Sequence, residues 1–442
     1  MAASEQYKQL LEEHLQLINK GACQPMNIAR EEAIKTFIEN GIPSQKEEMF
    51  RHIDLEKIYT LDYGINLARV SQSATKEAYR CSVPGLKTHT LYVIGDTPNL
   101  PEKTEEGVEV MNMRDFSDKY PQLTEKYYNQ LAKRSSDGTV ALNTALAQDA
   151  VVVYIPQGVK MQTPLQIVNV LNSSTPIMAN RRLLVISEKN SSATILVCEH
   201  NMSESQTLAT QVTEIYAGEN SQIEYYELEE TATTSYRVAS LFAKQEANSN
   251  MIIAPMTLHN GETRSNYNVT LSDKGANLNI TGLAICDTKQ VADVYTNVHH
   301  ASSHCESNQL FKNIVSDEAI VSMTGKVLVD EGAAKTISQQ SNKNISMSQT
   351  AHIYTEPQLE IYADDVKCGH GATVGQLDES ALFYLRQRGI PEAEARMMLM
   401  LAFADDILQR IKLEPLRDKL RTLIENRLRK GDSKCYGCTM CK

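Results

Sequence analysis

Short apolar runs separated by polar turns dominate the middle of the chain, from about residue 135 to residue 371. Residues 150–156 (AVVVYIP), 183–187 (LLVIS) and 193–200 (ATILVCEH) are examples; each is of strand length and rich in residues that favour β-structure. Turns of similar composition recur between the runs, at first about every 26 to 30 residues. A loose repeat of this length, with two or three strands per unit, predicts a parallel β-helix whose stacked turns bury a continuous core.

A β-sandwich is the competing fold, because it also consists of many short strands. Sandwiches join neighbouring strands by tight hairpin turns, for which Asn-Gly is the strongest short signal. In this stretch only Asn260-Gly261 offers an Asn-Gly pair. The pattern therefore favours the parallel β-helix.

Helical patterns flank the strands on both sides. Apolar residues between Leu10 and Ile18 fall at helical spacing. Beyond the strands, Asp378 is placed to cap a helix that stops at Gly389. The spacing predicts an N-terminal, mostly helical domain (1–134), a parallel β-helix core (135–371), a C-terminal helical domain (372–431) and a Cys-rich tail (432–442).

Two further helices are predicted near the carboxy terminus, with Pro391 and Pro415 in their first turns. The first of them carries a run of methionine, leucine and phenylalanine side chains that exceeds the needs of one packing face. Packing against neighbouring helices or the end of the β-helix is one explanation, and a partner protein is the other. Methionine suits both environments.

Length and charge narrow the class of protein. The 442 residues exceed the roughly 250 to 300 at which a single core stops growing, so two or three structural parts are expected. A formal net charge of -11 argues against nucleic acid as the main partner, because phosphate binding needs a basic surface. The polar amino terminus has no signal-peptide core, and no stretch approaches a membrane span. We expect a cytoplasmic protein with reduced cysteines and no membrane partner.

Cys368 and His370 form the clearest candidate for chemistry. A thiol and an imidazole both bind soft or borderline metals, and alternation along a strand puts residues two apart on one face. A tetrahedral or cluster site needs about four ligands. The remaining ligands must come from elsewhere in the fold or from another subunit.

Two other groups of cysteine and histidine need separate interpretation. His299, His300, His304 and Cys305 lie close in sequence, but adjacent strand residues point to opposite faces, so a structural role is favoured there. Buried, unreactive positions are the expectation for the scattered cysteines Cys23, Cys81, Cys198 and Cys286.

The last residues, KCYGCTMCK, place Cys435, Cys438 and Cys441 in a C-x2-C-x2-C array. Thiolates at this spacing can converge on one metal ion or cluster, although only three are present. A metal, sulfur or cluster transfer arm and a disordered end remain the two alternatives for this tail.

Residues 357–388, PQLEIYADDVKCGHGATVGQLDESALFYLRQR, strongly resemble the SufB/SufD family of iron-sulfur cluster assembly proteins, on the SufD side. SufB proteins have a Glu-His-Glu-Ala-Thr run where this chain has residues 367–373. The family usually has serine at the position of Gly369. Residues 43–59 resemble the amino-terminal SufD region, but the family commonly has a tryptophan near Met49 or Phe50, and this chain contains none.

The resemblance implies a right-handed parallel β-helix between helical ends, in a scaffold subunit of a SufBCD complex. It implies a SufB-like partner at the carboxy-terminal end of the β-helix, where His370 would help to hold a transient iron-sulfur cluster shared with SufB and Cys368 would lie beside it. It also implies that the C-terminal helices dock a SufC-like ATPase, and an uncovered β-helix end would allow a homodimer of the isolated chain.

Ordinary catalysis is not indicated. The chain has no G-x-x-x-x-G-K-[ST] loop, so any ATP hydrolysis must come from a partner, and we expect a non-catalytic subunit with no permanently bound cofactor. A β-helix enzyme such as a polysaccharide lyase is a less favoured alternative, since those are mostly exported. An autonomous metal or sulfur carrier acting through the tail is the other.

Overall fold

The computed structural model describes residues 2–69, 83–101, 104–105, 107–201 and 203–429. Its centre is a parallel β-solenoid made of two facing sheets. Successive strands alternate between the sheets, so each turn of the chain contributes one strand to each. The predicted β-helix is confirmed, with two strands per turn, and no strand pairs as the hairpins of a sandwich would require across β5–β20, residues 151–375 of the described chain.

Sheet A contains β1 Gly64–Ile65, β4 Glu109–Asn112, β5 Val151–Ile155, β7 Ile177–Ser187, β9 Thr207–Ala217, β11 Ser235–Gln245, β13 Glu262–Leu271, β15 Val291–His300, β17 Ile320–Val329 and β19 His352–Ile361. Sheet B contains β2 His89–Ile94, β3 Thr97–Asn99, β6 Leu165–Leu171, β8 Ser192–Asn201, β10 Gln222–Thr231, β12 Asn250–His259, β14 Asn277–Cys286, β16 Glu306–Val315, β18 Ile337–Ser346 and β20 Lys367–Gly375.

The helices lie before and after the solenoid strands. The first group is α1 Ala3–Gly21, α2 Gln24–Asn40, α3 Leu55–Thr60, α4 Met113–Lys119, α5 Pro121–Tyr127 and α6 Gly138–Leu146. The second group is α7 Glu379–Gln387, α8 Glu392–Leu408 and α9 Glu414–Leu428. Asp378 caps α7 by accepting hydrogen bonds from the amides of Ser380 and Ala381, as its position in the sequence predicts.

The six corners that lead from sheet A to sheet B between β7 and β18 share one backbone feature. Each of these six contains a residue with positive φ, which asparagine and glycine adopt at least cost. In chain order these residues are Asn190, Asn220, Asn248, Gly275, His304 and Lys335. The recurring polar turns of the sequence are therefore the corners of the solenoid, and the left-handed residue reverses the chain from one sheet towards the other.

Side chains that point between the sheets form the main core, in which valine, isoleucine and leucine from both sheets stack turn upon turn. The outer face of sheet A is covered by the amino-terminal helices, for instance by α6 against β9 and β7. The outer face of sheet B is covered by α8 and α9. Strands beneath these helices, such as β5 and β7, are thus buried on two sides, which explains why they read as nearly continuous apolar runs.

The two ends of the solenoid differ. At the first turn, β4 pairs antiparallel with β5, and β2 pairs with β6 while carrying the antiparallel strand β3. At the last turn, β19 pairs only with β17 and β20 only with β18 among the described strands. Backbone pairing therefore continues past the first solenoid turn and stops at β19 and β20.

A short amino-terminal segment reaches this last turn from outside. We call residues 48–52 the clasp. The His52 ring stacks on Tyr354 of β19 with 4.0 Å between ring centroids, and its Nε2 lies 3.1 Å from Glu356 Oε1. Gln358 Nε2 donates to Glu48 Oε1 at 3.1 Å. The clasp joins the beginning of the chain to the last strand of sheet A.

Candidate functional site

Cys368 and His370 lie on β20, the last strand of sheet B. Cys368 packs against the inner residues Val327 and Val329, so its side chain points between the sheets. Alternation places His370 on the same face. Cys368 is partly buried and His370 is exposed, because the strand carrying them belongs to the final turn. The structure thus brings the two predicted residues to one face at the open end of the solenoid.

Strand β18 supplies the layer beneath this pair. Ser338 is in register with Cys368, and Gln340 is in register with His370. Ser338 is fully buried and Gln340 is 3% exposed. Both polar ends of the Gln340 side chain lack a hydrogen-bond partner among the described residues. A buried side-chain amide without a hydrogen-bond partner among the described residues therefore lies beside His370, on the preceding strand of the same sheet.

Gly325 of β17 makes room for that amide. A Cβ atom at position 325 would lie 1.7 Å from Gln340 Nε2 and 3.2 Å from Thr296 Oγ1. Glycine inside a strand often marks such a close approach. The Gln340 side chain consequently occupies space between the sheets that is open only because residue 325 is a glycine.

The pKa of the Cys368 thiol is raised by burial, and the backbone amide of Ser338 opposes that rise. A metal ligand must be the thiolate, so metal binding at Cys368 would release a proton. One thiolate and one imidazole provide two ligands of the kind that iron and zinc accept. The remaining positions would face the open end, where a second protein could supply them.

Exposed apolar side chains gather around this end. Half of the exposed large hydrophobic side chains in the described residues lie between β19 and α7; they are Tyr354, Ile361, Tyr362, Val374, Phe383 and Tyr384. Tyr362 is 64% exposed and Phe383 is 62% exposed. A group of this kind, beside unpaired strands, is typical of a protein interface.

The histidine-rich corner near Cys305 does not converge. His299 Nε2 lies 2.9 Å from Asp330 Oδ2, whereas His300 Nε2 lies 2.8 Å from Ser307 Oγ on the inner side. Cys305 is fully buried and donates to the Asp273 carbonyl at 3.2 Å. Within the described ranges, no group of three or more His, Cys, Asp or Glu side chains is arranged to hold a metal ion. The structural interpretation of this corner agrees with these contacts.

Two sets of predicted cysteines lie outside the described residues. They are Cys81 and the tail residues Cys435, Cys438 and Cys441. Cys23, Cys198 and Cys286 are buried, in agreement with the expectation for scattered thiols.

Sequence reasoning missed the inner polar residues of β18. Ser338, Gln340, Asn342 and Asn344 alternate with other residues, and these four are the buried polar positions of the strand. Alternation was visible in the sequence, but a polar face normally points to solvent. Only the structure reveals that this polar face points inward.

Comparison with known families decides the classification. A family model described as "SUF system FeS cluster assembly, SufBD core domain" matches residues 169–403, more than half of the chain. A second, described as "SufBD protein N-terminal region", matches residues 1–167. The chain belongs to the SufBD family.

Similar proteins cover much of this SufBD protein. A SufBD family protein of Synechocystis is 29% identical over 403 residues, with 87% of both chains covered. The SufD protein of Escherichia coli is 40% identical over 168 residues, which cover 38% of this chain and 40% of that protein. The SufD protein of Bacillus subtilis is 25% identical over 348 residues, 77% of this chain and 79% of that protein. The resemblance predicted from residues 357–388 is confirmed.

Membership establishes the general role of this SufBD protein, which is iron-sulfur cluster assembly. None of the helices in the described ranges combines the length and the apolar character that a bilayer crossing needs.

Proposed function

We propose that this SufBD protein is the SufD-type scaffold subunit of an assembly complex, and that it pairs with a SufB-like subunit through its last solenoid turn. The open edge formed by β19 and β20 is the observation that supports the proposal. Each strand presents unpaired backbone donors and acceptors along nine or ten residues. A parallel edge of this length is a template for pairing with another chain.

The difference between the two solenoid ends supports this choice of surface. Antiparallel strands continue the pairing beyond the first turn, whereas the last turn carries exposed apolar side chains such as Tyr362 and Val374. A SufB-like protein with its own solenoid would extend both sheets across the junction. An isolated chain would form a homodimer through the same end.

Cys368 and His370 would then contribute ligands to a nascent cluster at the junction. They offer one thiolate and one imidazole, and the partner would complete the set of about four ligands. The cluster is cargo in this proposal; it is built at the interface and then passed on. No permanently bound cofactor is required.

The C-terminal helices would dock a SufC-like ATPase. Most of the apolar surface of α8 packs on sheet B through Met400, Ala404, Ile407 and Leu408. Met398 remains 40% exposed on the same helix. One face of α8 therefore packs on the solenoid within the chain, and a different face would contact the partner protein. This chain would be a non-catalytic subunit that transmits the effect of ATP binding in its partner.

Anaerobic purification of the tagged protein from its own cells tests the pairing. Mass spectrometry should identify a SufB-like protein and a P-loop ATPase, and the complex should contain iron and sulfide. Recovery of the chain alone, or only as a homodimer under conditions that preserve other complexes, would contradict the proposal.

His370→Ala in the same complex tests the ligand role. The variant should fold and pair normally but yield less iron and sulfide per complex. His352→Ala is the matched control, because His352 is an exposed histidine on the last turn of the other sheet. Equal cluster yield in the His370→Ala and native complexes would refute the role of His370.

An autonomous metal or sulfur carrier is the second candidate function, and the C-x2-C-x2-C array of Cys435, Cys438 and Cys441 favours it. Deletion of residues 434–442 separates the two candidates. A scaffold subunit should still form the complex and assemble a cluster without the tail. A carrier should lose its bound iron when the tail is removed.

A further inference from the structure

The two strands of the last solenoid turn differ in how much of their surface is covered. Seven of the ten residues of β19 are partly buried, whereas seven of the nine residues of β20 are exposed. Both strands pair only with the preceding turn among the described strands, so backbone pairing does not explain the contrast. The clasp does explain it, because it lies on the outer face of β19.

The clasp contacts three successive outward positions of β19. Side chains alternate between the two faces of a strand, so Tyr354, Glu356 and Gln358 form one row of about 13 Å. The His52 ring stacks on Tyr354, and its Nε2 atom lies 3.1 Å from Glu356 Oε1. Gln358 Nε2 donates to Glu48 Oε1 at 3.1 Å. The clasp therefore holds the middle of the strand and not only its end.

Strand β20 has no comparable cover. Among the described residues, none of its side chains forms an ion pair or a hydrogen bond with another side chain. Val374 is 52% exposed and His370 is also exposed, although both lie on the inner face. A strand at the edge of a sheet with few buried contacts opens at a lower free energy than a strand in the core. Of the two strands, β20 is therefore the one that opens more easily.

The clasp is fixed to the fold by contacts that do not involve β19. Phe50 is 4% exposed, and the buried Arg264 guanidinium of β13 lies 4.7 Å from the centroid of its ring. Asp54 caps α3 by accepting a hydrogen bond from the Lys57 amide at 2.9 Å. The Lys57 ammonium pairs with Glu262 of β13 at 2.6 Å. Because β15 and β17 lie between β13 and β19 in sheet A, the clasp connects the last strand to one that is three positions away.

We propose that the clasp is a brace that orders β19 in the unpaired protein, whereas β20 opens and closes until a second solenoid pairs with the last turn. The ordered β19 sets the register for the incoming strand. The segment with Cys368 and His370 then gains a fixed shape only in the paired state. This last consequence rests on the proposed pairing with a SufB-like subunit, whereas the difference between the two strands is a property of the chain by itself.

Hydrogen–deuterium exchange followed by mass spectrometry measures the order of the two strands. The full-length chain is diluted until analytical ultracentrifugation shows a monomer, because a homodimer would cover the edge. Peptides that contain residues 352–361 and 367–375 are compared through their slowly exchanging amides. The protection factor of these amides should be at least about tenfold higher in β19 than in β20.

Two variants remove contacts of the clasp, and a third is the control. His52→Ala removes the stacked ring and should lower protection in β19 about three- to tenfold, with less than a twofold change in β20. Glu48→Ala changes an exposed residue and should lower protection in β19 about twofold. His14→Ala removes an exposed histidine of α1 and should change neither strand.

The inference is overturned if β20 is protected as strongly as β19 in the native monomer. It is also overturned if His52→Ala changes protection in β19 by less than twofold, or if it changes both strands equally. Protection in β9 shows whether a variant keeps its fold. If His52→Ala lowers protection there as well, Glu48→Ala decides, and an unchanged β19 in that variant overturns the inference.

Failure of the proposed function would look different. In a complex with the SufB-like partner, β20 should gain more protection than β19, relative to the monomer. If a complex forms but β20 gains no protection, pairing through the last turn is refuted, while the brace stands as long as His52→Ala acts on β19 in the monomer. If β20 gains protection but His52→Ala leaves β19 unchanged, the pairing stands and the brace is refuted.

Discussion

Replacement of Glu229 by glutamine should make the stability of this protein less sensitive to alkaline pH. Glu229 lies on β10 between the sheets, 2% exposed. Thr263 donates to its Oε1 at 2.7 Å, and Arg237 Nη1 lies 3.9 Å from Oε2. Arg237 also pairs with Glu227, so one guanidinium faces two buried carboxylates. Burial is the main reason that the pKa of Glu229 rises to about 7.

The direction in which stability changes with pH follows from proton binding. A carboxyl whose pKa is higher in the folded protein contributes stability below its unfolded pKa and loses that contribution as pH rises through the folded pKa. The pKa changes from 4.5 to about 7. At about 1.4 kcal/mol per unit, the contribution should fall by about 2.5 kcal/mol between pH 5 and pH 8. Glutamine does not titrate. The free energy of unfolding of the variant, relative to that of the native protein, should therefore rise by about 2.5 kcal/mol between pH 5 and pH 8.

Equilibrium urea unfolding of both proteins at pH 5 and pH 8, followed by circular dichroism, measures the difference. Other titrating groups are common to both proteins and cancel in the comparison. Glu224→Gln, on the outer face of the same strand, reports what loss of a more solvated carboxylate does at each pH. A constant stability difference between native and Glu229→Gln at the two pH values would refute the reasoning.

Three further changes test packing and the open end. Lys312→Met should loosen α8 by about 1–3 kcal/mol, seen as faster proteolysis within that helix, because the buried ammonium donates to the Phe403 carbonyl at 2.9 Å. Gly138→Ala should destabilise the fold by about 3 kcal/mol in urea unfolding, since its Cβ would lie 1.6 Å from the Gly41 carbonyl oxygen. Tyr362→Lys should weaken self-association of the isolated chain about tenfold or more in analytical ultracentrifugation, because desolvating a charge at the interface is costly.

Each change has a matched control. Lys343→Met removes an exposed lysine from the neighbouring strand and should leave the rate of proteolysis within α8 unchanged. Gly332→Ala adds a methyl group where no atom lies within 4 Å. Ile28→Lys places a charge at another exposed apolar position, far from the last turn in sequence. Equal effects in a variant and its control would contradict the explanation given for that position.

The solenoid was predictable because its corners leave a trace in the sequence. Asn190, Asn220 and Asn248 stand where the chain needs a left-handed residue, and asparagine is among the few that tolerate it. The number of strands per turn was not predictable, since two or three short strands fit the same spacing. Strands β1 to β4 were also not indicated, because short strands between helices carry little periodic signal.

The candidate site was predictable only in part. Alternation correctly placed Cys368 and His370 on one face, but it could not say that this face points between the sheets. Ser338 and Gln340 lie beneath the pair but come 30 positions earlier in the chain, and only the stacking of turns brings them next to it. Which residues on successive turns become neighbours depends on the tertiary structure, and a single sequence does not reveal it.

The clasp has a consequence for the order of events during synthesis. Solenoid turns contact mainly their neighbours, so each can fold onto the last as it leaves the ribosome. Residues 48–52 cannot follow this order, because His52 packs on Tyr354, which is made some 300 residues later. At roughly 5–20 residues per second that interval is about 15 to 60 s. The clasp therefore emerges long before its partner strand, and until that strand is made its His52 ring is free for other proteins to bind.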